Sequence, residues 1–93
     1  MIRTFACRET AKIWEGGRSR RFPGDMQKRA LIKLLQLDTA TCLDDLKLPP
    51  GNHLELLKGD RKGRHSIRIN GQWRICFRWT GQDAEDVEIV DYH

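Results

Sequence analysis

Residues 65–79 read HSIRINGQWRICFRW, with apolar side chains at alternate positions on both sides of the Asn-Gly pair at 70–71. This period of two predicts a pair of antiparallel β-strands. A two-residue turn at Asn-Gly would place each apolar side chain opposite a polar one on the same face. A three-residue connection with a bulge places Ile67 opposite Ile75 and removes that mismatch. We therefore predict the bulged register.

The bulged register gives the hairpin one apolar face and one basic face. The apolar face comprises Ile67, Ile69, Trp73, Ile75, Phe77 and Trp79. The basic face carries Ser66, Arg68, Arg74, Cys76 and Arg78. Arg68 and Arg74 are direct cross-strand partners in this register, and like charges in that position are destabilising. Two arrangements stay open: an anion between the two arginines, or a solvated face on which their side chains lie apart.

The rest of the chain supplies helices first and strands second. We predict a short strand over Met1–Ala6, a helix over Arg8–Trp14, and a longer helix from Asp25 to about Leu37. The longer helix has an apolar stripe of Ala30, Leu31, Leu34, Leu35 and Leu37. After the breaker Pro49-Pro50-Gly51, the strand candidates are Leu54–Leu57, His65–Ile69, Trp73–Trp79 and Asp86–Tyr92. The prediction is an α+β fold over residues 1–93 as a single domain, with two helices packed on one face of a small antiparallel sheet.

The composition is that of an ordinary globular domain. Hydrophobic residues make up 39% and charged residues 32% of the 93 residues, with a net charge of +4. No apolar run approaches the ~18–20 residues of a membrane span, and the first residues lack the apolar core of a signal peptide. We expect a cytoplasmic protein that does not contact membranes. The three cysteines are widely spaced, so no disulfide framework, metal site or cofactor is predicted.

The last strand candidate brings reactive side chains to the basic face. If Val87 and Ile89 point into the core, Val90 and Tyr92 lie on the face that carries Arg74. Asp91 and His93 flank the tyrosine, and the basic loop Lys58–Arg64 forms a rim. Cations, a phenol, an imidazole and a carboxylate along one groove suit an RNA surface. We therefore predict RNA-binding roles for Arg61, Lys62, Arg64, Arg68 and Arg78.

Several motifs of the second half resemble a HigB-type toxin of the RelE superfamily, the plasmid maintenance killer proteins. They are the segments LELLKGDR (54–61), SIRIN (66–70), QWRICF (72–77) and VEIVDYH (87–93). The resemblance implies an endoribonuclease that cuts messenger RNA in the ribosomal A site, in contact with ribosomal RNA. It also implies a HigA-type helix-turn-helix antitoxin as partner, with operator DNA bound only through the antitoxin complex.

The resemblance also implies which residues are catalytic. The family's motif residues fall on Lys58, Arg74, Asp91, Tyr92 and His93. Several family members carry a histidine three residues before the lysine, where this chain has Glu55. His53 lies two residues earlier and would project to the same side of an extended segment. Either Glu55 or His53 is a candidate to replace the family histidine.

RNA carries its own nucleophile, the 2′-hydroxyl. Cleavage without a metal then needs a base for the 2′ proton, cations at the phosphate and an acid for the leaving 5′ oxygen. We expect Arg74 and Lys58 at the phosphate, Tyr92 or His93 in proton transfer, and Asp91 orienting His93. The alternative is a translation inhibitor that binds the ribosome or its RNA without cleavage and is neutralised by an antitoxin.

Overall fold

A computed structural model describes residues 1–59 and 63–91 of the chain. The helices are α1 (Arg8–Trp14) and α2 (Gly24–Thr39), followed by 3₁₀ turns at Leu43–Lys47 and Pro50–Asn52. The strands are β1 (Glu55–Leu56), β2 (His65–Arg68), β3 (Trp73–Trp79) and β4 (Ala84–Asp91). The sheet has the order β1-β2-β3-β4 with every neighbouring pair antiparallel. The predicted α+β class, with helices on one face of an antiparallel sheet, is confirmed.

The connection between β2 and β3 has the bulged register. Ile67 pairs with Ile75, and Arg68 pairs with Arg74. The carbonyl oxygen of Trp73 accepts hydrogen bonds from two consecutive amides, those of Ile69 at 2.9 Å and Asn70 at 3.3 Å. The Asn70 side chain then accepts from the amides of the two residues after Gly71, at 2.8 and 2.9 Å. Asn70 therefore closes the turn with its side chain, which a two-residue hairpin would not require.

The core lies between the helices and the apolar face of the sheet. Ile67, Ile75, Phe77 and Val87 are fully buried there. Across from them, α2 presents Met26, Ala30, Leu34 and Leu37, at spacings of three and four residues. Trp73 and Trp79 pack against this core and are only partly buried. The sheet thus uses one face for the core, as predicted.

Two helix details differ from the sequence prediction. The longer helix begins one residue earlier and ends two residues later than expected. Leu35 was predicted in its apolar stripe, but that side chain is 49% exposed. The prediction was wrong because Leu35 is rotated by about 100° from Leu34 around the helix axis, which takes it off the buried face.

The first six residues run alongside β4 but do not form a continuous strand. Ile2 and Phe5 make isolated parallel bridges to Ala84 and Val87. Between those bridges the backbone of Asp86 has a positive φ of 52°. Its amide donates to the Thr4 hydroxyl at 2.9 Å instead of to a carbonyl. This irregularity of β4 is the physical reason that the predicted strand is interrupted.

Candidate functional site

The face of the sheet opposite the core is covered at its centre. Ser66 and Cys76 are fully buried, and Arg74 is only 6% exposed. The 3₁₀ turn Pro50–Asn52 contacts β2, and the carbonyl oxygen of His53, the next residue, accepts a hydrogen bond from Arg74 Nη2. Arg74 is therefore buried rather than solvated, because the segment before β1 lies over it.

Arg74 is bound on several sides. Its Nε donates to the Ser66 hydroxyl at 2.8 Å, and its Nη2 also donates to the Ser66 carbonyl oxygen at 3.3 Å. Nη1 lies 4.0 Å from a carboxylate oxygen of Glu55, whose side chain is half-exposed. A buried cation is tolerated only where hydrogen bonds and a counter-charge compensate for lost hydration. These contacts give the guanidinium one fixed position beneath His53 and beside Glu55.

Arg68 and Arg74 are cross-strand partners, but their guanidinium groups lie apart. Arg68 Nε donates to the carbonyl oxygen of Asn70 at 3.0 Å, in the turn beyond its own strand. The guanidinium of Arg74 is instead bound between Ser66 and His53. The repulsion expected of this pair is relieved by divergent side chains, which was one of the two arrangements left open.

The end of β4 lies beside Arg74. Val90 is the cross-strand partner of Arg74, and Asp91 is the partner of Trp73. The Gln72 side-chain amide donates to the Asp91 carboxylate at 3.1 Å. Val87 and Ile89 are buried in the core, so the predicted facing of β4 is correct up to Asp91. Tyr92 and His93 lie outside the described residues, and their predicted roles stay predictions.

The remaining predicted site residues are distributed over a wide area. Lys58 is exposed immediately after the buried Leu57, whose amide donates to the Arg64 carbonyl oxygen at 2.7 Å. Arg64 Nη1 lies 3.6 Å from Glu88. Arg78 is paired with Asp86 beside the irregularity of β4. Arg61 and Lys62 lie outside the described residues. The structure brings Arg64 to the Arg74 face and separates Arg68 and Arg78 toward opposite ends of the sheet.

Two histidines occupy ordinary structural positions. His53 ends a 3₁₀ turn in the left-handed region, with φ 45°, and its side chain is exposed. His65 stacks on Phe77 with ring centroids 6.1 Å apart. Its Nδ1 is buried and has no hydrogen-bond partner among the described residues. Burial lowers the pKa of His65 below its ordinary value, which fits a packing role.

A groove of about 730 Å³ runs beside the last residues of β4. One wall is Glu88–Asp91, and the other includes Arg8, Arg21 and the aromatic pair Phe22 and Trp73. The two rings meet edge to face at 5.3 Å. Sequence reasoning missed this groove because Arg21 and Phe22 come from the connector between the helices, and no periodic pattern places a connector against a strand edge.

The hydrogen bonds of Arg74 to Ser66 and to the His53 carbonyl oxygen were not expected from the sequence, although both residues were named there. A signal for the covered face was present, because Cys76 and Val90 place small or apolar side chains on the face predicted to be basic. Within residues 1–59 and 63–91, no cluster of histidine, cysteine, aspartate and glutamate side chains has the arrangement of a metal site. No helix in that part of the chain is long and apolar enough to cross a membrane.

Comparison with known proteins adds a family match and three relatives. A family model described as "RelE-like toxin of type II toxin-antitoxin system HigB" matches residues 3–93. "Toxin HigB-1" of Vibrio cholerae is 44% identical over 63 residues, which are 68% of this chain and 66% of that protein. "Endoribonuclease HigB" of Proteus vulgaris is 34% identical over 98 aligned positions that cover 100% of both chains. An "Uncharacterized protein" of Haemophilus influenzae is 29% identical over 69 residues, 74% of this chain and 68% of that protein.

Proposed function

The chain belongs to the HigB-like toxin family, RelE-like toxins of type II toxin–antitoxin systems, and on that premise we propose that it is an endoribonuclease. Its substrate is messenger RNA in the A site of translating ribosomes, and its action stops translation and growth. The observation that carries the proposal is the fixed Arg74 guanidinium, which lies across the strand pair from Val90. The motif Asp91-Tyr92-His93 follows that position directly in the sequence.

The positive charge of the site has two sources with different exposures. Lys58 is exposed two residues after β1, and we assign its ammonium to the scissile phosphate. Arg74 is 6% exposed and acts from beneath the segment before β1, as a fixed positive charge that need not reorganise when the phosphorane forms. Preorganised charge of this kind stabilises a transition state more effectively than mobile surface charge.

Proton transfer is assigned to Tyr92 and His93. An ordinary imidazole pKa of about 6.5 suits a general base near neutral pH, whereas a phenol near 10 needs neighbouring cations to lower it. Asp91 orients the histidine, and Gln72 holds Asp91 through the 3.1 Å hydrogen bond. Because the 2′-hydroxyl of RNA is the nucleophile, the reaction as proposed needs no metal ion.

The proposed partners follow from the family. A type II toxin is held inactive by an antitoxin protein, and we assign this one a HigA-type helix-turn-helix partner. Operator DNA is then bound only by the toxin–antitoxin complex, in which the antitoxin recognises the operator. The site of action is the cytoplasm, where translating ribosomes are found. A neighbouring reading frame of ~100 codons that encodes a helix-turn-helix protein would support this assignment.

The test is cleavage of a defined transcript by purified protein, with and without translating ribosomes. We expect cuts only with ribosomes. We expect Lys58→Ala and His93→Ala to reduce the cleavage rate by about 10²-fold or more, the scale of one lost catalytic interaction. Arg3→Ala is the matched control, because Arg3 is exposed and pairs with Asp83 beside the first residue of β4. Equal cleavage without ribosomes would refute the ribosome dependence.

A second function is favoured by one specific contact. Glu55 occupies the position of the family histidine, and its carboxylate lies 4.0 Å from Arg74 Nη1. A carboxylate there partly neutralises the charge offered to a phosphate, which suits a protein that binds the ribosome without cutting message. Translation arrest with intact transcripts in the same assay would establish this function and refute the nuclease.

A further inference from the structure

We propose that the cleft between α2 and the β2–β3 turn is a phosphate-binding site for structured RNA, distinct from the site around the Arg74 guanidinium. The identity of the natural ligand rests on the proposed function, because ribosomal RNA is the structured RNA that a ribosome-dependent toxin contacts. The cleft holds about 290 Å³ and is lined by Arg29, Lys33, Gly51, Arg68, Ile69, Asn70 and Gly71. Three of these seven residues are cationic and none is acidic.

Within residues 1–59 and 63–91, the three cations lack carboxylate partners. Arg29 and Lys33 are one turn apart on α2, and like charges at that spacing destabilise a helix. Neither these two nor Arg68 forms an ion pair with any carboxylate in the described part of the chain, and this includes Asp25, one turn before Arg29. Burial, and then the charge of Arg29, lower the pKa of Lys33. A bound anion supplies the counter-charge that the protein does not.

Two of the three cations, Lys33 and Arg68, are also held in place. Lys33 Nζ donates to the side-chain oxygen of Asn52, which is fully buried. The Asn52 amide nitrogen is in turn within hydrogen-bond distance of the carbonyl oxygens of Leu46, at 3.2 Å, and Leu48, at 3.3 Å. Arg68 is fixed by its 3.0 Å bond to Asn70. An ammonium has three donors and a guanidinium has five, so each group retains donors for a phosphate after these bonds.

Two glycines line the cleft. A Cβ atom added at Gly71 would make an ordinary van der Waals contact with Arg68 Nη2, at 3.7 Å. A Cβ at Gly51 would meet no atom within 4 Å. Close approach of a phosphate to the backbone is possible at both positions.

The chemistry of the lining favours RNA over an acidic protein segment. Ile69 is its only apolar side chain and is only 3% exposed. The centres of protein–protein interfaces are rich in aromatic residues and poor in charge. Interfaces with nucleic acid are strongly positive, and most of their hydrogen bonds go to phosphate and sugar. A compact group of three cations around glycine backbone is typical of an interface with nucleic acid.

The test is the salt dependence of binding to a labelled 20-base-pair RNA duplex, followed by fluorescence anisotropy between 50 and 200 mM salt. For Arg29→Gln we expect weaker binding and a slope of log affinity against log salt that is smaller by about 1, the value for one lost phosphate contact. Lys28→Gln is the matched control, since it removes the same charge from the adjacent residue of α2, which does not line the cleft. Its slope should equal that of the wild type.

Arg29 is exposed on the helix, so its substitution should alter the free energy of unfolding by no more than about 0.5 kcal/mol. Thermal unfolding checks this.

Arg68→Gln provides a second variant from the other wall of the cleft. An unchanged slope in both variants overturns the proposal. Unchanged RNA binding with weaker antitoxin binding also overturns it and assigns the cleft to an acidic protein segment. Binding to the duplex does not depend on cleavage. If the protein binds RNA through this cleft but leaves transcripts intact, the proposed nuclease activity is refuted and the proposed phosphate site is not.

Discussion

The Nε of Arg74 lies 2.8 Å from the hydroxyl oxygen of Ser66, on the neighbouring strand and wholly inside the protein. The central arginine of this sheet is therefore a structural group as well as a source of charge. It also binds the His53 carbonyl, so it connects the sheet to the segment that carries Lys58. Stability and activity should respond together when Arg74 is changed.

The Arg74–Ser66 contact should show energetic coupling. Ser66→Ala removes a buried acceptor from a cation, and hydrogen bonds to charged groups contribute about 1.5–3 kcal/mol. We expect Ser66→Ala, Arg74→Met and the double variant to give a coupling energy of about 1–2 kcal/mol in urea unfolding, within the range for residues in contact. If the effects of the two single variants add up to that of the double variant within about 0.5 kcal/mol, the bond does not contribute to stability as proposed.

Thr10 should stabilise the edge of β4. The amide of Ile89 donates to the Thr10 hydroxyl at 3.0 Å in the interior. Thr10→Val preserves the shape but leaves a buried amide unpaired, which costs about 1–3 kcal/mol. Each kcal/mol lowers the Tm by about 4–8 °C in a domain of this size. Thr10→Ser keeps the hydroxyl and is the control for the lost methyl group; a Thr10→Val variant as stable as the wild type would show that the bond does not stabilise β4.

His65 should make the protein less stable in mild acid. Burial lowers its pKa in the folded state, so the unfolded chain binds the proton more tightly. The stabilisation by neutral His65 is complete above the unfolded pKa of about 6.5 and is lost as the pH falls through the lowered folded value. His65→Phe keeps a ring against Phe77 and does not titrate.

The measurement is urea unfolding at pH 5, 6, 7 and 8. The free energy of unfolding should fall more steeply toward pH 5 in the wild type than in His65→Phe. His53 and His93 are present in both proteins, so the difference between the curves isolates His65. Parallel curves would show that protonation of His65 does not oppose folding.

Local patterns allowed much of this fold to be predicted. The alternation of apolar side chains, together with the apolar–polar mismatch that a two-residue turn would create, predicted the pairing of Ile67 with Ile75. The helix α1 was predicted with its observed bounds. The burial of Arg74 was not predictable in this way. It depends on the segment before β1 folding over the sheet. Residues 50–57 show no hydrophobic periodicity from which that tertiary contact could be predicted. The motifs indicated the HigB family, whereas the cleft at Arg29 joins residues from three separate parts of the chain.

Restoring the family histidine should raise activity. Glu55 is half-exposed beside Arg74, so Glu55→His places an imidazole there with an ordinary pKa of about 6.5 and removes a competing negative charge. General acid–base catalysis contributes about 10²–10⁴-fold, and we expect at least a 10-fold faster cleavage at pH 7 in the ribosome assay. Glu55→Gln removes the charge without adding a base. Equal rates in the two variants would assign the whole gain to charge.

Removal of Tyr92 and His93 should separate folding from catalysis. Within Ala84–Asp91, the buried side chains of β4 are Ala84, Val87 and Ile89, and all three are kept in the shortened protein. We expect the shortened protein to unfold within a few degrees of the wild type, to bind its antitoxin, and to lose cleavage and toxicity. Tyr92→Phe and His93→Ala, made singly, then show which side chain supplies the proton transfer. A shortened protein that still cuts transcripts would refute the roles assigned to both residues.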